Sequence, residues 1–268
     1  MLIDAHCHLW SLGRNGQSWP TPDLGPIYRD FGLKDLALTA PALTGAVLVQ
    51  SQPCEDDTAW LLRIAAAEPL VLGVVGWTDM AASDAEARIA ALASDRWLKG
   101  LRPMLQDLPV DWILDRALEP AIGAMVAADL TFDALVRPRH LQSLLELARR
   151  WPDLRVVIDH AAKPEIAAGR LEPWREQMSA LADLSNVHCK LSGLLTEAGE
   201  VTGLDAVAPY VAHLVTGFGP DRLMWGSDWP VLKLAGEYGD WRALCEALVP
   251  AQLHAAVFSQ TARRVYRL

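Results

Sequence analysis

The segment IDAHCHLW (residues 3–10) predicts a short, buried β-strand that ends on two histidines. Because side chains alternate along a strand, His6 and His8 are expected on one face and Cys7 on the other. An open, doubly wound α/β sheet usually carries a glycine-rich phosphate turn directly after its first strand. Histidines at that position argue against the open sheet and favour a closed barrel, in which inward side chains meet at the carboxyl ends of the strands.

Seven further apolar runs have the length of strands that are buried on both faces of a parallel sheet. The eight predicted strands cover residues 2–8, 46–50, 71–77, 98–102, 131–136, 156–160, 187–191 and 223–227. Helical patterns separate them, and Leu141, Leu144 and Leu145, for example, fall on one helix face. Eight strands alternating with helices in 268 residues predict a single α/β domain over residues 1–268, a (β/α)₈ TIM barrel.

Two helix starts and one long loop are also predicted. Ser83 opens a capping-box pattern before a helix over 85–93. Pro250 suits the first turn of a last helix that runs to Arg264. The glycine- and proline-rich loop 11–34 follows the first strand, so it is expected to be either a wall or lid of the active site or a plain surface loop.

Composition argues against several classes of protein. Lys and Arg number 24 against 33 Asp and Glu, a formal charge of −9, so the chain lacks the basic character of a nucleic-acid binder. Charges interrupt every apolar run before the roughly 18 residues that a membrane span needs. The first residues show no signal-peptide pattern, so the expected location is the cytoplasm. The four scattered cysteines form no CxxC pair and are expected to be reduced thiols.

Polar residues occur at the predicted carboxyl ends of several strands, where barrel enzymes carry their active sites. His6 and His8 end strand 1, His160 ends strand 6, and Asp228 follows strand 8, which a barrel places beside strand 1. Imidazoles and a carboxylate gathered there are able to hold one metal ion or to activate water. The alternatives are structural histidines and an aspartate that caps a turn. Strand alternation also places Asp159 on the helix side.

Two cations are expected at the same end of the barrel. Arg102 ends strand 4 and Lys190 ends strand 7. Because a buried cation without a partner is costly, they are expected either to pair with Asp133 or Asp228 or to stabilise a developing oxyanion. Lys163, in the loop after strand 6, is a weaker candidate because most lysines are solvated surface groups.

Aromatic and amide side chains near the strand ends are candidates for substrate binding, since flat rings cover sugars and amides bind hydroxyl groups. These candidates are Trp10, Trp77, Trp229, Gln50, Gln52 and Gln106. The sequence has no GxSxG pattern, so a serine hydrolase lacks its nucleophile. It also has no Walker or Rossmann glycine pattern, which argues against a bound nucleotide.

Together these motifs resemble the amidohydrolase superfamily. Within it they resemble the lactonase-type branch, which contains L-fuconolactonase, L-rhamnonolactonase and 2-pyrone-4,6-dicarboxylate lactonase. The matching segments are IDAHCHLW (3–10), GVVGWTD (73–79), KGLRPMLQD (99–107), VIDHAAKP (157–164), CKLSGL (189–194), LMWGSDWP (223–230) and QTARRVYRL (260–268). The resemblance therefore covers essentially the whole chain and implies an amidohydrolase-like barrel.

The resemblance also implies which residues act and which metal is present. It assigns functional roles to His6, His8, His160 and Asp228, and it matches Arg102 and Gln106 to a Gly-Ile-Arg…Gln segment of the family. Strand 5 offers Asp133 in place of histidine, Lys99 of strand 4 is expected to face away from Arg102, and Pro103 stands where sugar lactonases often have histidine. The branch thus implies at most one divalent metal such as Zn²⁺, and metal-independent catalysis stays open. The expected metal ligands are His6, His8, His160 and Asp228.

The activity expected from this resemblance is hydrolysis of a small-molecule lactone, with a sugar lactone of the L-fucono- or L-rhamnonolactone type favoured. Asp228 is expected to be the general base, and burial is expected to raise its pKa. His6, His8 and Arg102, or a bound Zn²⁺, would stabilise the oxyanion. The expected substrate contacts are Trp10, Gln106, Lys163, Lys190 and Trp229, with His160 also orienting the substrate. A monomer or homodimer without nucleic-acid or membrane partners is expected.

Three other functions stay open at this point. A pyrone dicarboxylate would need two cations near the mouth, which Arg102, Lys163 and Lys190 are able to supply. The same superfamily branch also contains metal-dependent decarboxylases of aromatic or unsaturated acids. A non-catalytic binding barrel is a further alternative, but a cluster of three histidines and an aspartate carries repulsion and desolvation costs that packing does not require.

Overall fold

The computed structural model describes residues 1–199 and 203–268, which form one sheet of eight parallel strands in sequential order. The strands are β1 (Ile3–Cys7), β2 (Gly45–Val49), β3 (Val71–Gly76), β4 (Leu98–Leu101), β5 (Thr131–Ala134), β6 (Arg155–Ile158), β7 (Val187–Leu191) and β8 (Leu223–Trp225). The helices are α1 (Leu33–Thr39), α2 (Glu55–Ala67), α3 (Ala85–Ala93), α4 (Glu119–Ala127), α5 (Leu141–Arg150), α6 (Trp174–Ala182), α7 (Leu194–Glu197), α8 (Leu204–Arg222, interrupted at Gly219), α9 (Tyr238–Leu248) and α10 (Thr261–Tyr266).

The sheet closes on itself through the segment that follows β8. The Asp228 N–H donates to the His6 carbonyl at 2.8 Å, and the His8 N–H donates to the Trp229 carbonyl at 2.7 Å. Beneath them the carboxylate of Asp4 accepts from the Ser227 N–H at 2.9 Å and from the His6 N–H at 3.1 Å. The predicted (β/α)₈ barrel is therefore confirmed, with β8 and β1 joined largely by residues beyond the end of β8.

Side chains of the strands divide between two apolar clusters. Leu48, Ile158 and Trp225 belong to the outer cluster, in which the barrel packs against the helices. Val47 and Val157 belong to the inner cluster, which the C-terminal residues Ala262, Val265 and Tyr266 join. The last helix thus closes the amino-terminal end of the barrel, and the opposite end remains for the functional groups.

The predicted helices are largely confirmed, with two differences at their starts. α3 begins at Ala85 as expected, but no side chain of residues 1–199 or 203–268 caps it, because Asp84 instead pairs with Nε of Arg88 at 2.8 Å. The capping-box prediction was therefore wrong. Pro250 stands just before a 3₁₀ turn at Ala251–Leu253, and the last helical run continues through a π-helical turn into α10.

The long loop after β1 folds back onto the strand. Trp10 and Phe31 exchange backbone hydrogen bonds of 3.1 and 3.0 Å, so the residues between them form a loop whose two ends are joined at the carboxyl end of the barrel. Part of this loop lines the cavity described below. Among the described residues, no helix is both long and apolar enough to cross a membrane.

Asp4 is expected to be essential for barrel closure. Substitution Asp4→Ala leaves two buried backbone N–H groups without their carboxylate acceptor, so the free energy of unfolding should fall by about 3 kcal/mol. Urea denaturation measures this loss. The control is Asp153→Ala at an exposed aspartate, which should change stability by less than about 0.5 kcal/mol. Equal stability of the two variants would contradict the role of Asp4.

Candidate active site

A cavity of about 450 Å³ opens at the carboxyl ends of the strands. The loops after β1, β2, β4, β5, β6 and β8 supply its walls, as a TIM barrel requires of its active site. Polar lining groups are His8, Ser18, Ser51, Gln52, Arg102, Gln106, Asp107, His160, Lys163 and Asp228. Apolar lining comes chiefly from Trp19, Met104, Leu108 and Leu135.

Three imidazoles and one carboxylate meet at the base of this cavity. Oδ1 of Asp228 lies 3.2 Å from Nε2 of His8, 3.7 Å from Nε2 of His6 and 3.8 Å from Nε2 of His160. The two Nε2 atoms of His6 and His8 lie 3.1 Å apart. The four residues predicted to act together are therefore brought together, with His6 fully buried just beneath the other three.

These residues fit a single divalent metal ion. Nδ1 of His8 donates to the Val49 carbonyl at 2.8 Å, which leaves the Nε2 lone pair directed at Asp228. Nδ1 of His160 pairs with the Ser192 hydroxyl at 2.9 Å and orients its Nε2 in the same way. The spacing of His6, His8 and Asp228 suits one metal ion, and nitrogen and carboxylate ligands are those that Zn²⁺ prefers.

The strand-4 and strand-5 residues weighed as ligands of a second ion lie away from the cluster, although His6, Asp159 and His160 also stand at metal-ligand spacing. Lys99 donates to the Arg267 carbonyl at 3.3 Å, against the C-terminal residues and away from the cavity. Asp133 of β5 is fully buried and bound by Lys190. Neither residue therefore faces the cluster of His6, His8 and Asp228.

Burial sets the charge of the cluster. It lowers the pKa of His160 to about 4 and, together with the Lys190 ammonium, lowers the pKa of His6 well below its ordinary value. Burial would raise the pKa of Asp228, but His160 and the contact with His8 outweigh it and hold that pKa below its usual range. The expectation of a raised pKa for Asp228 was therefore wrong, because neighbouring imidazoles favour the ionised carboxylate.

His160 reaches the cavity by a different route from the one predicted. β6 ends at Ile158, and residues 160–163 adopt positive φ angles of 52°, 50°, 61° and 51°. Because Val157 faces inward and Ile158 outward, Asp159 points into the barrel and not toward the helices, which corrects that prediction. The left-handed turn that follows then places the His160 ring at the cavity as well.

Arg102 is held rigidly at the cavity wall. Its Nη1 lies 3.5 Å from Oδ2 of Asp159, and its Nη2 donates to the Gln50 carbonyl. The amide of Gln50 in turn donates to the Arg102 carbonyl at 2.9 Å. Among the described residues the guanidinium Nε has no hydrogen-bond partner, and this nitrogen is itself shielded from solvent.

Three predicted substrate contacts lie outside the cavity wall. Lys190 is fully buried between Asp133 at 2.6 Å and Asp159 at 3.0 Å. Of the two roles expected for it, pairing with a buried carboxylate is therefore the one that the structure supports. Trp10 and Trp229 are buried behind the wall, each edge-to-face with Phe31. Their placement does not fit direct contact with a substrate.

Other predicted contacts do line the cavity, and one aromatic residue was missed. Lys163 donates to the Gln106 side chain at 2.8 Å, and both residues line the cavity. Oε1 of Gln52 accepts a hydrogen bond from the Ser18 N–H at 3.0 Å, and Nε2 of Gln52 donates to the Trp19 carbonyl at 2.6 Å. The side-chain amide of Gln52 therefore anchors the long loop. The loop thereby forms a wall through Trp19, which no motif in the sequence marks.

Two glycines make room for the histidines. A Cβ on Gly193, whose φ is +65°, would lie 2.6 Å from Nδ1 of His160. A Cβ on Gly226 would lie 2.8 Å from the Cβ of His6. Glycine in the segments KLSGL and WGSDW is thus a signal of the site that sequence reasoning left unused.

Comparison with known proteins agrees with this geometry. An amidohydrolase family model matches residues 3–268. The chain belongs to the amidohydrolase family. This confirms the resemblance carried by its motifs.

The alignments with individual relatives span almost the whole of this amidohydrolase. A Burkholderia ambifaria protein named L-fucono-1,5-lactonase is 52% identical, covering 99% of this chain and 95% of its own. A Burkholderia multivorans protein of the same name is 35% identical, over 99% and 96%. The crystal structure of an amidohydrolase from Burkholderia multivorans with bound zinc superposes with a TM-score of 0.92 at 32% identity, covering 100% of this chain and 99% of that one.

Asp57 gives the region beside the cavity a distinct pH dependence. It accepts from the Ser51 and Gln52 N–H groups at 2.8 and 3.2 Å, and burial raises its pKa from 3.8 to about 6. Between these values the folded protein holds a proton that the unfolded chain has lost. The contribution of Asp57 to the free energy of unfolding should therefore fall by about 3 kcal/mol as the pH rises from about 4 to 6.

The variant Asp57→Asn should lack this contribution. We expect the wild type to lose stability relative to the variant as the pH rises, measured by urea denaturation from about pH 4 to 7. Asp153→Asn, at an exposed aspartate, serves as the control and should follow the wild-type curve. Parallel curves for wild type and Asp57→Asn would show that the pKa of Asp57 is not raised.

Proposed function

We propose that this amidohydrolase opens a six-membered sugar lactone of the L-fucono-1,5-lactone type. The observation that carries the proposal is the cluster of His6, His8, His160 and Asp228 at the base of a cavity at the carboxyl ends of the strands. A relative that is 52% identical over nearly the whole chain bears the name L-fucono-1,5-lactonase, which supports the same substrate class.

Asp228 is the proposed general base of this reaction. Its carboxylate is ionised at neutral pH and lies at the cavity surface, where it orients a water molecule and accepts its proton. The water oxygen forms a bond to the lactone carbonyl carbon, and the ring C–O bond then breaks. His160, within 3.8 Å of Asp228, is placed to orient the ring and to pass that proton to the leaving alkoxide; the product is an aldonic acid, which releases the second proton of the water to solvent and becomes the aldonate.

Fixed positive charge near the carbonyl oxygen completes the proposal. The guanidinium of Arg102, fixed at the cavity wall, is the proposed preorganised donor, and such donors are each worth about 3 kcal/mol to a developing oxyanion. His6, His8 and Asp228 are the residues that would hold a divalent ion, which supplies Lewis-acid polarisation when bound. The zinc in a Burkholderia multivorans relative supports Zn²⁺ as that ion.

The walls of the cavity favour a neutral sugar lactone over a pyrone dicarboxylate. Among the described lining residues, the Arg and Lys side chains are Arg102 and Lys163, and Arg102 is already paired with Asp159. The indole of Trp19 offers a flat apolar wall for a sugar ring, while Gln106 and Lys163 offer hydrogen bonds to hydroxyl groups. A second carboxylate on the substrate would find no separate unpaired cation there.

Substitution Asp228→Asn should abolish turnover while leaving the fold intact. The amide cannot accept the proton from water, so kcat for L-fucono-1,5-lactone should fall on the order of 1,000-fold. A pH-indicator assay measures acid release, and circular dichroism checks the fold. Asp153→Asn is the control. If Asp228→Asn retains near wild-type kcat, another group is the base.

The same assay separates the alternative functions. Release of CO₂ from an aromatic acid, without acid release from any lactone, would indicate a metal-dependent decarboxylase. Saturable lactone binding without product would indicate a binding barrel. Faster hydrolysis of a pyrone dicarboxylate than of sugar lactones would overturn the proposed substrate class.

Metal content provides an independent prediction. We expect one Zn²⁺ per chain by elemental analysis, a lower content in His8→Gln, and an unchanged content in His213→Gln, whose imidazole lies on α8. Chelation should lower kcat, and added Zn²⁺ should restore it. Undiminished hydrolysis by chelated, metal-free protein would instead place oxyanion stabilisation on His6, His8 and Arg102.

A further inference from the structure

The cavity has an apolar wall on the side opposite the candidate base. Asp228 and His8 follow β8 and β1, and the closed order of eight strands places β4 and β5 across the barrel from them. On that side the cavity is lined by Met104 and Leu108, in the segment after β4, and by Leu135, which directly follows β5. A substrate whose carbonyl group lies beside Asp228 therefore turns its far side toward apolar side chains.

Contacts with neighbouring loops fix where this apolar wall begins and ends. Sδ of Met104 accepts a hydrogen bond from Nε2 of Gln50 at 3.4 Å, so Met104 lies at the edge nearest β2. Oε1 of Gln106 accepts from Nζ of Lys163 at 2.8 Å, so this polar pair lies at the edge nearest β6. The apolar side chains thus occupy a bounded stretch of wall between polar groups.

The wall is also held in place by the backbone. The Leu108 N–H donates to the Leu105 carbonyl at 3.1 Å and closes a 3₁₀ turn. Within that turn the Gln106 carbonyl accepts from Nη2 of Arg139 at 2.9 Å, and Arg139 belongs to the segment after β5. Leu135 is only 3% exposed. The segment after β4 is therefore tied to the β5 side, so the apolar wall is preorganised.

The three side chains of this wall cannot donate a hydrogen bond. Leu108 and Leu135 are purely aliphatic, and the thioether of Met104 is a weak acceptor that Gln50 already engages. A hydroxyl group placed against them would lose its hydrogen bonds to water without replacement, whereas a methyl group would gain from burial. The wall therefore suits a methyl substituent and disfavours a hydroxymethyl substituent.

A lactone of the L-fucono-1,5 type carries one such methyl group. It is bound to C5, which lies two ring positions from the carbonyl carbon, across the ring oxygen. The hydroxyl groups on C2, C3 and C4 remain for polar partners such as Gln106 and Lys163. L-galactono-1,5-lactone has the same ring with a hydroxymethyl group on C5, and D-arabinono-1,5-lactone has only hydrogen there. These three lactones differ at C5 alone.

We propose that Met104, Leu108 and Leu135 form a subsite for the methyl group on C5 of the lactone, and that this subsite selects 6-deoxy sugar lactones. The inference rests on the proposed lactonase activity for its kinetic test and deepens that proposal by naming the group that determines the substrate. Binding of sugars that cannot be hydrolysed tests the same subsite without turnover.

The wild-type enzyme provides the first test. The three lactones are prepared fresh, and their spontaneous hydrolysis is subtracted. We expect kcat/KM for L-fucono-1,5-lactone to exceed that for each of the other two by about 10-fold. Equal values for the methyl and hydroxymethyl lactones would overturn the subsite, while their hydrolysis would leave the lactonase proposal intact.

Two variants test the wall itself. Leu108→Asn and Met104→Gln each place an amide where it is able to bind the hydroxymethyl group, so each should lower the preference for the methyl lactone by about 10-fold. Leu114→Asn is the matched control, because Leu114 is also half-buried in the connection between β4 and α4 but is not among the described residues that line the cavity. It should keep the wild-type preference. Circular dichroism checks that each variant is folded, and an unchanged preference in folded Leu108→Asn and Met104→Gln would overturn the subsite.

Sugar binding separates this inference from the proposed function. The pyranose forms of L-fucose, L-galactose and D-arabinose carry the same three substituents on C5 and have no lactone bond. An NMR titration should show L-fucose binding about 10-fold more tightly than the other two. That order in a protein without lactonase activity would overturn the proposed function and support the subsite. No preference for L-fucose would overturn the subsite, whatever the activity.

Discussion

The pairing of the segment after β8 with β1 is the constraint on which the rest of the structure depends. Backbone hydrogen bonds from Asp228 to His6 and from His8 to Trp229 close the barrel, and they also fix the distances within the candidate site. Residues from the two ends of the chain thus become neighbours through main-chain geometry, before any side chain interacts. Gly226 is part of this constraint, because a side chain there would collide with the backbone of His6.

A second constraint is the balance of buried charge beneath the cavity. Arg102, Lys190, Asp133 and Asp159 are all but inaccessible to solvent, and each would be costly alone. Together they compensate one another, and their hydrogen bonds tie β4, β5, β6 and β7 to one point. This arrangement explains why a lysine at the end of a strand is unavailable to substrate although its position along the chain suggests a catalytic cation.

Sequence reasoning succeeds where period-2 alternation persists and fails where the backbone leaves it. Alternation holds from His6 to His8, so both histidines were placed correctly and Cys7 joins the outer core, although a register shift earlier in β1 leaves Ile3 and Ala5 in the inner cluster. On β6 the inward face was inferred from His160, which lies in a left-handed turn beyond the strand, so Asp159 was assigned to the helix side although alternation through Val157 and Ile158 places it inside the barrel. Trp19 was missed for another reason, since its position depends on the anchor from Gln52, a contact between distant parts of the chain.

The 3.1 Å separation of the Nε2 atoms of His6 and His8 carries a final consequence. Two lone pairs at this distance repel, so a proton or a cation must lie between them. The ring proton of neutral His8 lies on Nδ1, which donates to the Val49 carbonyl. A proton shared between the two Nε2 atoms therefore has to belong to Nε2 of His6. Nδ1 of His6 then carries no proton and accepts a hydrogen bond. Lys190 supports this arrangement, whereas Asp159 supports the reverse, in which Nε2 is free to bind a metal ion. The buried ion pair therefore provides a partner for His6 in both states, which makes the same residues compatible with metal-bound and metal-free forms of the site.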